Sequence, residues 1–382
     1  MKLQPVGSIL ILCSLLLAGC EDSVVEALKV PVATLAAPTF GAGLNAISAT
    51  ESAEITLSFS QTVSTTLAAA SGSSASPPAG ITVSTSGSAV CSSVATSVVS
   101  IAGATITVGG CTGNGTVTVR ASAGIATSET ERTNSMSNSR SITVDNVKPT
   151  AVSMTIANAY TQSNAAPNTV TLTFSKPILA LSATNADNAF SITTGCATPP
   201  AVAVAMSLNG SNQSVATITL SGGVCVDGNT VAVGFDLSKA TDLAGNDGLI
   251  AGSPANVNYT VDSLAPAASL STATYSPGSA PADPADTVSF TLTYTDATAT
   301  TLVAGSGART TGSTPGLTFG VASGAADCAV EIMSASASGA VVHLTDCQGT
   351  GTLEITVNAA TATGASGLSS TVSNTRTWTV AP

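Results

Sequence analysis

The spacing of six cysteines in the body of this chain predicts three disulfide bonds. They fall into neighbouring pairs separated by 20, 29 and 19 positions, with much longer stretches between the pairs. Joining neighbours gives Cys91–Cys111, Cys196–Cys225 and Cys328–Cys347. Closing loops of this size stabilises a fold by about 3 kcal/mol per bond. Metal binding is the alternative chemistry, but it favours CxxC pairs and histidine partners, and this chain has no CxxC pair and one histidine.

That histidine, His343, lies in the alternating stretch AVVHLTD, which is typical of a strand with one face in solvent. A Ser-His-Asp arrangement needs a base, an orienting acid and a nucleophile that are brought together. With a single histidine and no nucleotide-type glycine loop, the sequence predicts no catalytic residues. We therefore expect a protein that is not an enzyme.

Oxygen ligands that could hold calcium cluster in one loop, at Asp242, Asn246 and Asp247. Asp145 lies before this loop and Asp262 after it, at places that the repeats described below identify as junctions. Two readings stay open, because Asp and Asn also cap turns without any metal. The loop does not recur with its acids, since the third repeat reads ATGASGLSS where the second reads ATDLAGND.

An internal repeat organises the residues around these sites. CTGNGTVTV starts at Cys111 and CQGTGTLEITV at Cys347, and a degenerate copy, CVDGNTVAVGFDL, starts at Cys225. Two further markers recur in the same order, a strand-like phrase (AEITLSFS, TVTLTFSK, TVSFTLTY) and a closing phrase (SITVD, NYTVD, TWTV). Three markers repeated three times predict tandem domains of about 115 residues.

Composition and periodicity predict an all-β fold. The chain is 44% hydrophobic, 8% charged and 3% aromatic. Apolar residues alternate in the repeated phrases, as in Ile55, Leu57 and Phe59, which is the period of a strand with one buried face. Several such strands per repeat, separated by turn residues, favour an antiparallel β-sandwich. A net charge of −11 with only ten Lys plus Arg excludes a nucleic-acid-binding surface.

The segments TLTFSKPI, ATDLAGND and the junctions VDNVKPT and VDSLAPA resemble the bacterial immunoglobulin-like repeats of cell-surface proteins and adhesins. The resemblance implies three Ig-like sandwiches, at residues 37–146, 147–263 and 264–382. The chain departs from antibody domains, because its paired cysteines are close in sequence and Trp378 follows both cysteines of its repeat. We expect each disulfide to close one end of a sandwich, where the CxGxGT turn leads into a central strand.

The first twenty residues, MKLQPVGSILILCSLLLAGC, have one basic residue and an apolar run too short to span a membrane. Leu17-Ala18-Gly19-Cys20 resembles the bacterial lipobox, which implies a signal peptide at residues 1–19 and lipidation of Cys20. The alternative is an ordinary secretory signal. Residues 20–36 are predicted to be a tether to the first domain.

Together these features predict a non-enzymatic, lipid-anchored protein of the bacterial outer membrane that is exposed at the surface and acts as an adhesin or spacer. A subunit of a surface fibre or envelope assembly, or a periplasmic accessory protein to an envelope enzyme, is the alternative. The membrane is the expected partner through the lipid, and a protein or glycan is the expected partner at the surface.

Overall fold

A computed structural model of the chain describes residues 29–161, 168–179, 181 and 189–381. The predicted signal peptide and Cys20 lie outside these residues. Within them the fold is all-β, as predicted, apart from two short 3-10 helices, and no helix is long and apolar enough to cross a bilayer. The buried apolar residues form three separate hydrophobic cores along the chain.

The first core lies between a five-stranded sheet, in the order β1-β2-β7-β6-β4, and a three-stranded sheet, in the order β10-β8-β5. Its strands are β1 (Ala33–Leu35), β2 (Ser52–Phe59), β3 (Ser64–Thr65), β4 (Ala70–Gly72), β5 (Ile81–Gly87), β6 (Val90–Ser100), β7 (Gly103–Thr112), β8 (Gly115–Ala121), β9 (Ala126–Thr127) and β10 (Arg140–Val144). The alternation predicted for Ile55, Leu57 and Phe59 is confirmed, since β2 buries every second residue.

The second core lies between two four-stranded sheets, in the orders β11-β13-β16-β15 and β12-β18-β17-β14. Its strands are β11 (Ala151–Ile156), β12 (Tyr160–Thr161), β13 (Asn168–Phe174), β14 (Phe190–Thr194), β15 (Ala201–Leu208), β16 (Ser214–Ser221), β17 (Thr230–Phe235) and β18 (Val257–Val261). The two 3-10 helices, Leu237–Lys239 and Ile250–Gly252, lie between β17 and β18.

The third core repeats the arrangement of the first, with β19-β21-β26-β25-β23 facing β24-β27-β29. Its strands are β19 (Ala267–Leu270), β20 (Thr274–Ser276), β21 (Thr287–Thr295), β22 (Ala299–Thr300), β23 (Gly305–Arg309), β24 (Leu317–Gly324), β25 (Asp327–Ser336), β26 (Gly339–Gln348), β27 (Gly351–Val357), β28 (Ala362–Thr363) and β29 (Arg376–Val380). Trp378 is buried in this core, edge-on to Phe290 with ring centroids 5.6 Å apart.

The chain enters each core at one end and leaves it at the other. In the first core β1 begins beside Phe59, and β10 finishes beside Gly115 at the opposite end of the sandwich. We call these the incoming and outgoing ends of a core. The outgoing end of one core therefore adjoins the incoming end of the next, which places the three cores in sequence order. Most strand pairs are antiparallel, and β12 with β18 is a parallel exception.

The three disulfides form as predicted, Cys91–Cys111, Cys196–Cys225 and Cys328–Cys347. Cys91 and Cys111 lie opposite each other on β6 and β7, so this bond joins neighbouring strands of one sheet. An antibody disulfide instead joins the two sheets. The bond lies at the outgoing end of the core, beside the turn that leads into the central strand β8.

The repeated CxGxGT phrase is explained by the turn that follows the second cysteine. Gly113 has a φ of +71°, and a Cβ there would collide with the carbonyl oxygen of Ser88. Gly349 has a φ of +76°, and a Cβ there would collide with the carbonyl oxygen of Ala325. Only glycine fits a left-handed backbone that also passes so close to the connection between two other strands.

The predicted tether extends too far along the chain. Ala33 and Leu35 are buried in the first core, where β1 pairs with β2, although the sequence places both residues before the domain. The segment PVATL buries alternate residues but is too short for its periodicity to stand out from an apolar linker.

Candidate functional site

A charged cluster lies at the junction between the first and second cores, where Lys176 joins carboxylates from both sides. Lys176 follows the end of β13, and Pro177 after it cannot donate to a continuing strand ladder. Its Nζ atom donates to Asp145 Oδ2 and to Asp242 Oδ2, each at 2.6 Å. The carbonyl oxygen of Val147 accepts a third hydrogen bond, also at 2.6 Å.

Asp242 is the buried centre of this cluster, with its side chain 0% exposed. Its Oδ1 accepts from the backbone N–H groups of Ala244 and Asn246, at 2.8 and 2.9 Å. The side-chain Nδ2 of Asn246 donates to Asp242 Oδ2 at 3.0 Å and to the carbonyl oxygen of Asp145 at 2.8 Å. A buried carboxylate is stable only when it is paired and hydrogen-bonded, and both conditions are met here.

Backbone hydrogen bonds extend the same contact into the first core. The N–H groups of Asn45 and Ala46 donate to the carbonyl oxygen of Leu243, at 3.0 and 3.3 Å. The loop that carries Asp242 is therefore hydrogen-bonded both to its own sandwich and to the preceding one. This arrangement restricts rotation of one core against the other.

The pKa values follow from burial and hydrogen bonding. Burial raises the pKa of Asp242, but hydrogen bonds from Lys176 and Asn246 outweigh this effect and hold the pKa below its ordinary value. Burial lowers the pKa of Lys176, yet its hydrogen bonds to Asp145 and Asp242 keep that pKa above the ordinary value. Lys176 and Asp242 are therefore both charged at neutral pH.

The loop predicted to bind calcium is the loop that holds this ion pair. Asp242 uses both oxygens on Lys176 and Asn246, Asn246 presents amide donors to it, and Asp247 Oδ1 accepts from Thr241 Oγ1 at 2.6 Å. Among the described residues no group of three or more His, Cys, Asp or Glu could hold a metal ion. Calcium binding at Asp242, Asn246 and Asp247 stays a prediction, and it would require the ion to compete with an ammonium group.

The junction between the second and third cores is built differently. There Asp262 occupies the place of Asp145, and its Oδ2 accepts from the backbone N–H of Ser366 at 3.0 Å. The position equivalent to Lys176 is Asp296, and the position equivalent to Asp242 is Gly364. The ion pair of the first junction is thus replaced by a hydrogen bond to the backbone.

His343 lies in the middle of β26, opposite Ser289 on β21 and Glu331 on β25. It is half-buried on the outward face of the sheet, because its neighbours Val342 and Leu344 point into the core. The expectation of a strand residue facing away from the core is confirmed.

Lys176 is the functional residue that sequence reasoning missed. Taken alone, the sequence indicates cation ligands at Asp145 and Asp242 and only a repeated strand at TLTFSKPI. The available signal was the contrast between the repeats, because the lysine and the aspartate at 242 occur together in the second repeat and are both absent from the third.

Comparison with known proteins identifies this part of the chain. The sequence profile of the bacterial Ig-like domain family matches residues 145–261. These bounds run from Asp145 to Val261 and so include the whole ion-pair cluster. A search of curated proteins found no significant match.

Similar solved structures include the N-terminal part of the bacterial S-layer protein SbsC, at 16% identity and a TM-score of 0.21, covering 62% of this chain and 45% of that one. The N-terminal eight Ig domains of Down Syndrome Cell Adhesion Molecule match at 8% identity and a TM-score of 0.17, covering 92% of this chain and 47% of that one. Mouse clustered PcdhgC3 EC1-3 matches at 8% identity and a TM-score of 0.22, covering 76% and 86%. At these values the likenesses carry no argument about function. The family match, the sandwich topology and the three disulfides identify the chain as an all-β protein that contains a bacterial Ig-like domain at residues 145–261.

Proposed function

We propose that this chain is a lipid-anchored protein of the bacterial cell envelope, in which three Ig-like sandwiches act as a stiff spacer that presents its far end to a protein or glycan. The observation that carries the proposal is the ion-paired junction. Lys176 binds carboxylates on both sides of the junction and so fixes the second core on the first. Domains joined by a freely flexible linker would not make such specific contacts.

The N-terminal sequence supports the anchor. Cys20 follows an apolar run that is too short to span a bilayer and ends in Leu-Ala-Gly-Cys. Each buried methylene of an acyl chain contributes about 0.8 kcal/mol, so several chains on one cysteine hold a protein stably on a membrane. Beyond this anchor the three cores follow one another, and each is entered at one end and left at the other.

Reach follows from domain size. A domain of about 115 residues has a radius of gyration near 13 Å and a diameter of roughly 35 Å, so three in line extend about 100 Å from the anchor. The outgoing end of the third core is then the part farthest from the membrane. There Arg309 pairs with Asp327 and Asp346 beside the Cys328–Cys347 bond, so the tip is ordered as well as exposed.

The test combines chemistry at Cys20 with the location of the tip. Mass spectrometry of the purified protein should find an acylated Cys20 at the N-terminus, and Cys20→Ser should release the protein from membranes. A tag after β29 should be labelled by antibody on intact cells. Labelling only after permeabilisation would reject the surface role and favour an accessory role in the periplasm. Assembly into polymers by the purified protein would reject the single spacer in favour of a fibre subunit.

A further inference from the structure

An apolar tip projects from the incoming end of the first core. The hairpin formed by β6 and β7 ends there, and its side chains Val98 and Ile101 are 80% and 61% exposed. The tip lies beside the start of the described chain, because Val63 N–H donates to Ile101 O at 3.2 Å and Ser60 N–H donates to Val32 O at 3.0 Å.

The start of the chain adds to the same surface. Val30 and Val32 are 42% and 53% exposed, one strand away from β2 at the level of Ser60. In the sheet order β1-β2-β7-β6, three strand spacings of about 4.8 Å separate them from the hairpin. Four exposed aliphatic side chains therefore share one end of the core within roughly 15 Å. We call Val30, Val32, Val98 and Ile101 the apolar end.

The backbone at Val98 is strained, and the first core gains no stability from having a valine at this position. Val98 has a φ of +50°, in the left-handed region that a β-branched residue rarely adopts. The pairing register shifts between Ser97 and Ser100, so the chain bulges at this point. Glycine or asparagine would relieve the strain, and the valine gains no burial in return. Strain of this kind is typical of functional positions.

The equivalent hairpins of the other two cores lack this character. The loop between β15 and β16 reads NGSNQ, with Leu208 exposed before it, and the tip between β25 and β26 reads SASASG, with Met333 exposed before it, so neither turn itself carries a large apolar residue. The valine-rich tip occurs only in the core that is nearest to the predicted lipid anchor.

We infer that the apolar end rests on the lipid bilayer and inserts Val98 and Ile101 at the boundary between headgroups and acyl chains. The inference rests on the proposed lipidation of Cys20. Lys29 follows Cys20 by nine positions, so the anchor lies at most about 32 Å from Lys29, which directly precedes Val30 of the apolar end. A second contact beside the lipid would set the direction in which the first core leaves the membrane.

The charged residues around the apolar end indicate that its contact with the bilayer is apolar rather than electrostatic. The loop between β9 and β10 reaches the same end of the core, since Ser64 pairs with Thr127, and it carries Glu129, Glu131 and Arg132, while Lys29 precedes Val30. These two acidic and two basic residues leave no net charge to attract anionic lipids, so we expect the contact to be about as strong on zwitterionic as on anionic bilayers.

The test places a fluorescent reporter at the tip of the full-length, membrane-purified protein. Val98→Trp is reconstituted into phosphatidylcholine vesicles that contain brominated acyl chains, which quench tryptophan only at the acyl region. Ser336→Trp, at the tip of the equivalent hairpin of the third core, is the matched control. The native Trp378 is buried in the third core and supplies a constant background in both variants.

We expect several-fold stronger quenching of the tryptophan at position 98 than of the one at position 336. Equal quenching, or none at position 98 in a protein whose Cys20 is acylated, would overturn the inference and leave the lipid anchor standing. If Cys20 is not acylated, the proposed anchor fails, and quenching at position 98 in protein added to the vesicles still decides the inference. A blue shift at position 98 that depends on protein concentration without vesicles would assign the surface to a second copy and overturn the inference.

A second variant separates folding from membrane contact. Val98→Gly removes the apolar group and the backbone strain together, so the first core should be at least as stable as in the wild type. We expect the unacylated Cys20→Ser protein to lose about fivefold in its partition onto vesicles when Val98→Gly is added, the equivalent of burying one aliphatic side chain in part. Ala335→Gly in the third core should leave the partition unchanged. An unchanged partition in Val98→Gly would contradict the inference.

Discussion

Removing the charge of Lys176 tests the structure of the first junction. Lys176→Met keeps the aliphatic stem and leaves the carboxylate of Asp242 buried without a cation. Deleting one partner of a buried ion pair costs 3–5 kcal/mol, whereas an exposed pair contributes at most about 1 kcal/mol. The side chain of Asp242 is 0% exposed and that of Asp145 is 30% exposed, so the Asp242 pair dominates.

We expect a loss of about 3 kcal/mol, at the low end of that range, because Asp242 keeps its hydrogen bonds from Ala244 and Asn246. A three-domain protein does not unfold in one step, so a single-transition fit to the whole chain does not give the stability of the second core. Hydrogen exchange of β13 amides, followed by mass spectrometry, reports on the second core alone. The loss corresponds to exchange roughly 150-fold faster in that strand.

Two further variants decide whether the reasoning holds. Lys148→Met removes an exposed lysine from the same junction and should change exchange in β13 by less than twofold. Adding Asp242→Asn to Lys176→Met removes the unpaired charge and should recover part of the loss. Exchange accelerated by less than about fivefold in Lys176→Met, or no recovery in the double variant, would refute the view that the buried Lys176–Asp242 pair stabilises the second core beside the junction.

Three other predictions concern pH, reduction and the repeated turn. The stability difference between wild type and Lys176→Met, measured by calorimetry, should shrink as pH falls below 3.8 through the lowered pKa of Asp242, and again as pH rises above 10.5 through the raised pKa of Lys176. Cys196–Cys225 should be the first bond reduced by dithiothreitol, because Cys196 is half-buried and the four other cysteines are fully buried; alkylation and mass spectrometry would identify it. Gly113→Ala should destabilise the first core by more than about 2 kcal/mol in calorimetry, because of both its left-handed backbone and the collision at Ser88.

Each of these predictions has its own check. A stability difference that stays constant from pH 2 to pH 7 would contradict the paired state of Asp242. In denaturant all three disulfides should be reduced at similar rates, and an unchanged order there would show that burial is not the cause. Gly124→Ala shares a positive φ but has open space around its Cβ, so it should cost only about 1 kcal/mol.

The disulfides and the sandwich strands were predictable because their signals are local. Cysteines 20 or so residues apart, alternating apolar residues and a doubled glycine after the second cysteine all act over distances that a sequence shows directly. The turn at Gly113 is an example, since its repetition at Gly349 indicates a structural requirement, and the close approach to the turn at Ser88 explains it.

The ion-pair junction was not predictable because it is made by distant residues. Lys176 lies 66 positions from Asp242, and the fold of the second core brings them together; Asp145, 31 positions before Lys176, joins them at the junction with the first core. The local sequence therefore suggests a metal ion as the partner of these acids, whereas in the structure their partner is Lys176. The buried strand β1 was missed for the opposite reason, since three residues are too few to establish a period.

The disulfides also determine how far the chain can lengthen under load. Force applied between the membrane and the far tip enters and leaves each sandwich at opposite ends, so the terminal strands are loaded along their length and their hydrogen bonds share the load. If a sandwich then gives way, the segments between paired cysteines, with separations of 20, 29 and 19 residues, stay closed loops that tension cannot draw out. At about 3.4 Å per residue, the fully pulled chain is roughly 230 Å shorter than the same chain after reduction. The three covalent bonds thus act as stops on extension, and an oxidising environment shortens the molecule's maximum stretch.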